Sequence, residues 1–230
     1  MKKILFSSVL VSILSVNALA DFNFKEDASL GADVGTTGIG VTYVKKLKGY
    51  ENKWGVRVGY HQASLNYDTT DNQAHYDFDL DLQDVQLMAD YHPWNTSFKF
   101  TFGAMYNGTD LTGKVTPNGG TSYEFNGHTY TTNDIGYVDV KVDYENDIAP
   151  YVGFGWDTSF YKPSKKWGFT FNLGVVYVGS AKVSYSPYIK NAAARDQILK
   201  DLEVEKKSLE DDLDDYKYLP YISIGFNYKF

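Results

Sequence analysis

The last ten residues of the chain alternate without a break, and this pattern constrains the fold more than any other stretch. Every second position carries a large apolar or aromatic side chain: Ile222, Ile224, Phe226, Tyr228 and Phe230. The positions between them are small or polar, and one is Gly225. A period of two with unlike faces describes a β-strand between two different environments. A small, Gly-containing face opposite an apolar one favours a transmembrane β-barrel strand, with lipid outside and a crowded lumen inside.

The start of the chain predicts export. Lys2 and Lys3 precede an apolar run that ends at Val16, and small residues follow up to Ala20. This pattern is typical of a secretory signal peptide at 1–20, which leaves 21–230 as the mature barrel. The run is well short of the ~20 residues that a membrane-spanning helix needs. The chain has no Cys, so disulfides and thiol chemistry are excluded, and its net charge of −7 argues against nucleic acid as a partner.

Comparing odd with even positions predicts further strands of the same kind. They lie at about 37–47, 54–61, 76–91, 98–106, 138–156 and 167–177, with a weak candidate at 28–34. Together with the terminal strand, the weak candidate completes the even number that such barrels require. Polar stretches at about 66–75 and 107–136 are interpreted as long outer loops. The predicted fold is therefore all-β: an eight-stranded antiparallel transmembrane β-barrel with long outer loops.

Two irregularities of the pattern give local predictions. The apolar positions are even at Phe78 and Leu80 but odd at Val85 and Leu87. Because a slip of one residue moves every later side chain to the other face, this change predicts a β-bulge near Gln83–Asp84. The unchanged parity across 138–156 predicts a single long strand that protrudes from the bilayer.

Aromatic residues gather near the predicted short turns. The set is Trp54, Tyr91, Trp94, Trp156 and Trp167. They predict an aromatic girdle where the short-turn end of the barrel meets the inner surface of its membrane, and His92 is interpreted as a member of this girdle.

The period changes from two to that of a helix at about 190–217. Leu199, Leu202, Leu209 and Leu213 are spaced by three, four and seven residues, which predicts an amphipathic helix in the last outer loop. The helix is interpreted as a solvated cap on the barrel. A divalent-cation site among the acids at 210–215 is the alternative.

Charged residues are predicted inside the barrel. The inward set is Asp33, Lys46, Arg57, Asp84, Asp90, Lys99, Lys141 and Asp143. Buried charges are costly unless they are paired, so one interpretation is a sealed, ion-paired lumen. The other is a narrow polar conduit for cationic solutes, with Arg57, Asp84, Asp90 and Lys99 along the path. Further acids would form an outer vestibule that concentrates cations: Asp68, Asp71, Asp77, Asp79 and Asp81.

An enzyme is not expected. The four histidines lie in different predicted strands and loops, and no Ser lies at a spacing from them that would indicate a catalytic pair: His61, His75, His92 and His128. A lipid-modifying barrel would need a His and a Ser to meet at the outer rim. No spacing indicates catalytic residues, metal ligands or a cofactor.

Several segments, taken together, resemble one known family. They are Val34–Gly38, Tyr91–Trp94, Asn146–Gly155, Trp167–Gly168, Gly179–Val183 and Tyr218–Pro220. The chain resembles the small outer-membrane channel family of the carbapenem-associated porins, to which ornithine or basic amino-acid uptake is attributed. The resemblance implies an eight-stranded barrel with an elaborated outer region in the bacterial outer membrane. For function, the expectation that it adds is the passage of small cationic amino acids. The segments 66–77 and 107–136 cannot be matched to the family residue by residue, and substrate choice is expected to lie there.

The resemblance extends to the last residue, and it leaves two functional hypotheses. Phe230 resembles the terminal signal by which the outer-membrane assembly machinery recognises its clients. The leading hypothesis is a narrow channel for small polar, cationic solutes, in contact with outer-membrane lipids. The rival is a non-conducting barrel that acts through its outer loops and helix.

Overall fold

A computed structural model describes residues 26–48, 51–71, 74–120, 122–161 and 166–230, so the predicted signal peptide lies outside the described residues. The strands are β1 Ala28–Gly35, β2 Gly38–Lys46, β3 Trp54–Thr70, β4 Ala74–Tyr91, β5 Phe98–Asn107, β6 Asp110–Pro117, β7 Ser122–Phe125, β8 His128–Thr131, β9 Ile135–Tyr144, β10 Ile148–Asp157, β11 Trp167–Tyr177, β12 Ala181–Ile189 and β13 Tyr218–Lys229. Between β12 and β13 lies the helix α1, Arg195–Leu213, with a short 3₁₀ turn at each end.

Eight of these strands close into an antiparallel barrel. Its order is β1, β2, β3, β4, β5, β10, β11 and β13, and β13 pairs with β1. The predicted strand number is therefore confirmed. The weak first strand is part of it, because Ala28–Gly35 pairs with β2 on one side and β13 on the other.

The outside of the barrel is an apolar belt. Exposed side chains in it include Val34, Ile39, Val41, Leu87, Ile148, Val152, Ile222 and Phe226. In water such a belt would be very unfavourable, whereas in a bilayer it contacts acyl chains. This is the physical reason why the alternation of the terminal strand predicts the barrel. Among the described residues, no helix is long and apolar enough to cross a membrane.

Beyond the outer end of the barrel the chain builds a second sheet, called here the outer sheet. It consists of the last part of β3, the first part of β4, and β6, β9 and β12, in that order. The small hairpin β7–β8 lies between β6 and β9 in the chain. The polar segments interpreted as loops at 66–75 and 107–136 thus contain strands, which corrects that prediction. The polar residues of these segments lie on a sheet that has one face exposed to solvent.

The predicted β-bulge at Gln83–Asp84 is wrong. The β3–β4 register is continuous from Thr70 opposite His75 to Trp54 opposite Tyr91. The strand does not slip; the environment outside it changes. Phe78 lies on the same face as Asp84, and that face is covered in the outer sheet as it is in the lumen. The opposite face meets lipid beside the barrel and water beyond it, so the apolar positions change parity at the membrane boundary.

The single strand predicted at 138–156 is two strands. The segment between Tyr144 and Ile148 leaves the ladder, and β9 joins the outer sheet while β10 joins the barrel. Val140 then faces the covered side of the outer sheet, whereas Val152 faces lipid. The even positions are therefore apolar in both strands for different reasons: they face the covered side of the outer sheet in β9 and the lipid in β10.

Helix α1 confirms the predicted helical insertion and packs on the outer sheet. Ile198 and Leu202 are its buried apolar residues, and they contact the β9 and β12 side of the sheet. Leu199, which the heptad pattern places in the apolar stripe, is 40% exposed, so the buried face is rotated from the predicted one.

The aromatic girdle is confirmed at the end of the barrel that carries the short turns, called here the inner end. Trp54 packs on Tyr91 with ring centroids 4.7 Å apart, and Trp167 on Tyr228 at 5.1 Å. Trp94 and Trp156 both pack on Phe98. His92 is not part of this girdle, because it is fully buried inside the barrel.

Candidate functional site: the ion-paired lumen and the outer sheet

The outer half of the lumen contains one row of side chains across four strands. Asp33, Gly40, His61 and Asp84 lie directly opposite one another on β1, β2, β3 and β4. The His61 ring lies over Gly40, with Nε2 2.7 Å from Asp33 Oδ1 and Nδ1 3.1 Å from Asp84 Oδ1. An imidazolium donates from both nitrogens, which matches a carboxylate on each side. We call these three charged residues the outer ion layer.

Gly40 is required by this row. A Cβ at residue 40 would lie 1.9 Å from His61 Cδ2, and the ring has no room to yield between two carboxylates. We expect Gly40→Ala to lower the free energy of unfolding by about 1–3 kcal/mol, as overpacking does in other cores. Gly119→Ala is the matched control, because no atom of the described residues, apart from its chain neighbours, lies within 4 Å of a Cβ there. Urea titration followed by the electrophoretic mobility of folded and unfolded barrel measures both; equal midpoints would contradict the account.

The inner half of the lumen is held by one carboxylate between two cations. Asp90 Oδ2 lies 2.8 Å from Lys99 Nζ and 3.3 Å from Arg57 Nε. Thr101 Oγ1 donates to Asp90 Oδ1 at 2.6 Å. Arg57, Asp90 and Lys99 are called the inner ion layer. Its surplus positive charge offsets the surplus negative charge of the outer layer when His61 is protonated.

Below the inner ion layer, the residues that directly follow β10, 158–160, turn into the barrel. Phe160 is buried and stacks on His92, with ring centroids 3.8 Å apart. Asp157 Oδ1 accepts from the Ser159 backbone N–H at 2.9 Å and from Asn227 at 3.2 Å. We call Ser159, Phe160 and His92 the inner plug. It closes the inner end of the lumen, which explains why His92 is buried rather than in the girdle.

The lumen is closed at these three levels. The six charged side chains of the two ion layers are 0–8% exposed. Gln86, which lies between the layers and donates to Tyr221 at 3.0 Å, is fully buried. The middle of the barrel is therefore not accessible to water from either end. The arrangement provides neutralised charge and mechanical closure. Gln86 Oε1, Asp84 Oδ2 and Tyr151 Oη are buried and have no hydrogen-bond partner among the described residues.

The four lumen residues proposed from the sequence all lie inside the barrel. Arg57, Asp90 and Lys99 are in mutual contact, whereas Asp84 belongs to the other layer. His61 also lies inside, and no spacing in the sequence identifies it as the residue that joins two acids.

Other charges of the predicted inward set lie elsewhere. Lys46 is at the inner end, with Nζ 5.0 Å from the Phe160 ring centroid. Lys141 and Asp143 are half-exposed and pair with each other at 2.7 Å on the outer sheet, not in the lumen, which corrects their assignment. Their strand, β9, pairs with β6 and β12 in the outer sheet and is not a barrel strand.

The predicted acidic vestibule is also corrected. Asp77, Asp79 and Asp81 alternate with the covered residues Phe78 and Leu80, so they lie on the face that continues the lipid side of the barrel. Asp77 and Asp79 border a surface groove of about 510 Å³ with Lys114 and Lys141, away from the axis. The described residues contain no group of three His, Cys, Asp or Glu that could hold a metal ion.

Asp201 on α1 is a buried carboxylate that sequence patterns did not reveal. It accepts hydrogen bonds from Tyr130, from Asn126 at 3.1 Å and from Gln197 at 3.1 Å, and His128 Nδ1 lies 3.1 Å away. Tyr130 is 71 residues away in the chain, so no local spacing connects the two. These bonds hold the β7–β8 hairpin against the helix.

We expect the attachment of this hairpin to depend on pH. The hydrogen bond from Tyr130 holds the pKa of Asp201 below its ordinary value, and burial with the same bond raises the pKa of Tyr130 to about 12. The stabilisation by Asp201 is full above the unfolded pKa of about 3.9 and is lost as the pH falls through the lower folded value. We expect protease cleavage of the hairpin to accelerate below that pH, and Asp201→Asn to accelerate it at pH 7. The exposed Asp211→Asn serves as control; equal cleavage of the two variants at pH 7 would contradict the account.

These features define a class: a closed eight-stranded transmembrane barrel with an ion-paired lumen and an outer sheet covered by a helix. Solved structures share this fold. CarO2 of Acinetobacter baumannii superposes with a TM-score of 0.58 at 26% identity, over 88% of this chain and 98% of that one. CarO of the same organism gives 0.55 at 25% identity, over 88% and 97%. The resemblance to the carbapenem-associated outer-membrane proteins is thereby confirmed. Comparison of the sequence with family models and with curated proteins gives no match.

Proposed function

We propose that the protein is an outer-membrane barrel that is closed to solutes in the conformation described and acts through its outer sheet and helix. One observation carries the proposal: both ion layers are buried and internally paired. Opening the inner layer would separate Asp90 from Lys99 and Arg57, which costs several kcal/mol per ion unless water replaces the lost contacts. No catalytic activity is part of the proposal.

The proposed location is the bacterial outer membrane. The apolar belt matches acyl chains on all sides of the barrel, and the girdle around Trp54 and Trp167 matches the inner interface. We propose outer-membrane lipids as its surroundings. Phe230, at the end of β13, is proposed as the contact with the assembly machinery.

A second candidate is a narrow channel for small cationic solutes such as basic amino acids. The observation that favours it is the set of unpartnered buried atoms, Asp84 Oδ2, Gln86 Oε1 and Tyr151 Oη, which water could satisfy if the layers moved apart. In that candidate Arg57, Asp84, Asp90 and Lys99 line the path.

Liposome swelling separates the two candidates. Liposomes with the mature protein are diluted into isotonic arginine chloride or sodium glutamate, beside liposomes with a known porin. The proposal predicts swelling at the rate of protein-free liposomes in both solutes. Faster swelling in arginine than in glutamate would overturn it and support the cationic channel.

A further inference from the structure

The outer sheet has two edges that are treated differently. At the β12 edge, α1 packs alongside and Glu210 Oε1 accepts from the Val183 backbone N–H at 2.9 Å. At the other edge, β2 ends its pairing with Ile39 opposite Gln62, while β3 continues to Thr70. Residues 63–70 therefore pair with β4 on one side and with no described strand on the other.

The open edge lacks the features that usually protect one. Its sequence, Ala63 to Thr70, contains no Lys and no Pro, and its pairing with β4 shows no shift of register. In an antiparallel ladder, alternate residues direct their N–H and C=O groups to the open side. Such an edge is a template for pairing with another extended chain.

The two faces beside this edge specify the side chains of a partner. On one face Leu65 and Tyr67 are 58% and 63% exposed. The other face carries four acids on the two neighbouring strand segments, Asp68, Asp77, Asp79 and Asp81. Neither segment contains Lys or Arg. A strand added here would meet apolar side chains on one face and carboxylates on the other.

We propose that the 63–70 edge binds an extended polypeptide, as an added strand, in which apolar and basic side chains alternate. The inference rests on the proposed function, because it identifies the partner of the outer region. A second copy fits less well. In one membrane the β3 strands of two copies run in the same direction, so the two-fold axis that relates the copies is parallel to these strands. Rotation about this axis exchanges the two faces of the sheet. Leu65 and Tyr67 of the two copies would therefore lie on opposite faces of the joined sheet.

The probe is a decapeptide of alternating Lys and Val, titrated by fluorescence anisotropy against the mature protein in a non-ionic detergent. We expect a peptide of the same composition in two blocks to bind about tenfold more weakly or worse, which corresponds to roughly 1.4 kcal/mol. Equal binding of the two peptides would overturn the proposal, because charge alone would then explain it.

Backbone pairing is tested with two N-methylated peptides, one methylated at the Lys residues and one at the Val residues. A peptide bound along one edge directs only one of these sets toward β3. We therefore expect one methylated peptide to lose binding and the other to keep it. Equal affinity of both, or equal loss from both, would overturn the proposal.

Variants locate the site. Asp68→Asn with Asp77→Asn should weaken binding about tenfold. Asp139→Asn with Asp143→Asn makes the same charge change on the same face of β9, away from the edge, and should leave binding unchanged. Leu65→Ser with Tyr67→Ser should weaken it without changing the net charge. Equal effects of the two Asp pairs would overturn the location, and heat-modifiable mobility verifies that each variant is folded.

Two further measurements separate the possible failures. Sedimentation of the protein without peptide shows whether copies pair; a dimer that the Lys–Val peptide dissociates would assign the edge to a second copy and overturn the proposal. Swelling of liposomes from the same preparation reports on the proposed function. If the liposomes do not swell and the peptide does not bind, only this inference is contradicted. If the liposomes swell and the peptide binds, only the proposed closure of the lumen is contradicted.

Discussion

Asp90→Asn is expected to lower the free energy of unfolding by about 3–5 kcal/mol, as the loss of one partner from a buried pair does elsewhere. Asp90 is 1% exposed, and its carboxylate is the counter-ion in contact with both Arg57 and Lys99, which are 3% and 1% exposed. The amide keeps the shape of the carboxylate but leaves two buried cations without an anion. Urea unfolding of the barrel in detergent, followed by electrophoretic mobility, measures the effect.

A matched variant and a second-site change make this prediction specific. Asp143→Asn removes a carboxylate from a half-exposed pair with Lys141 and should cost less than about 1 kcal/mol. Lys99→Met in the Asp90→Asn background removes one of the two stranded cations and should restore part of the stability. If Asp90→Asn were as stable as the wild type, the ion layer would not be buried as described.

Closure of the lumen predicts a large difference in thiol labelling. The chain contains no Cys, so a single introduced thiol can be followed without interference. Gln86→Cys places the thiol between the two ion layers, at a fully buried position. Thr112→Cys places it in the surface groove beside Lys114 and Lys141 on the outer sheet. We expect a membrane-impermeant maleimide to label residue 86 roughly 10–1,000-fold more slowly, as for a site reached only through a minor conformation.

The comparison needs a control for reactivity. Unfolding in urea should bring the two rates together, because it removes the protection and leaves the intrinsic reactivity of each thiol. Comparable labelling of the two positions in the folded barrel, from either side of a liposome, would show an open path through the layers.

The barrel strands could be predicted from the sequence because lipid and lumen impose the period of two directly. The terminal strand from Tyr221 and the strand that contains Phe100 are read correctly for this reason. The same rule fails at Gln83–Asp84, where the pleat continues but the surroundings change from lipid to water. The alternation of apolar and polar side chains reflects the surroundings of the two faces of a strand. A change in its parity indicates a β-bulge only where each face keeps the same surroundings along the strand.

The site was predictable residue by residue but not as an arrangement. The period of two places Arg57, Asp84 and Asp90 inside, yet it does not give the register that pairs them. His61 joins Asp33 and Asp84 only because Gly40 lies between them in the row. The Tyr130–Asp201 contact depends on how α1 packs on the outer sheet, which no local pattern contains.

The most direct test of the closed lumen is conductance in planar bilayers. Protein that consists of residues 21–230 is reconstituted from detergent, first in arginine chloride and then in sodium glutamate, with a known porin in a parallel chamber. We expect no current steps above those of the protein-free bilayer in either salt. Cation-selective steps in arginine chloride, reduced when Asp84 and Asp90 are replaced by Asn, would contradict the closed lumen and establish the channel instead.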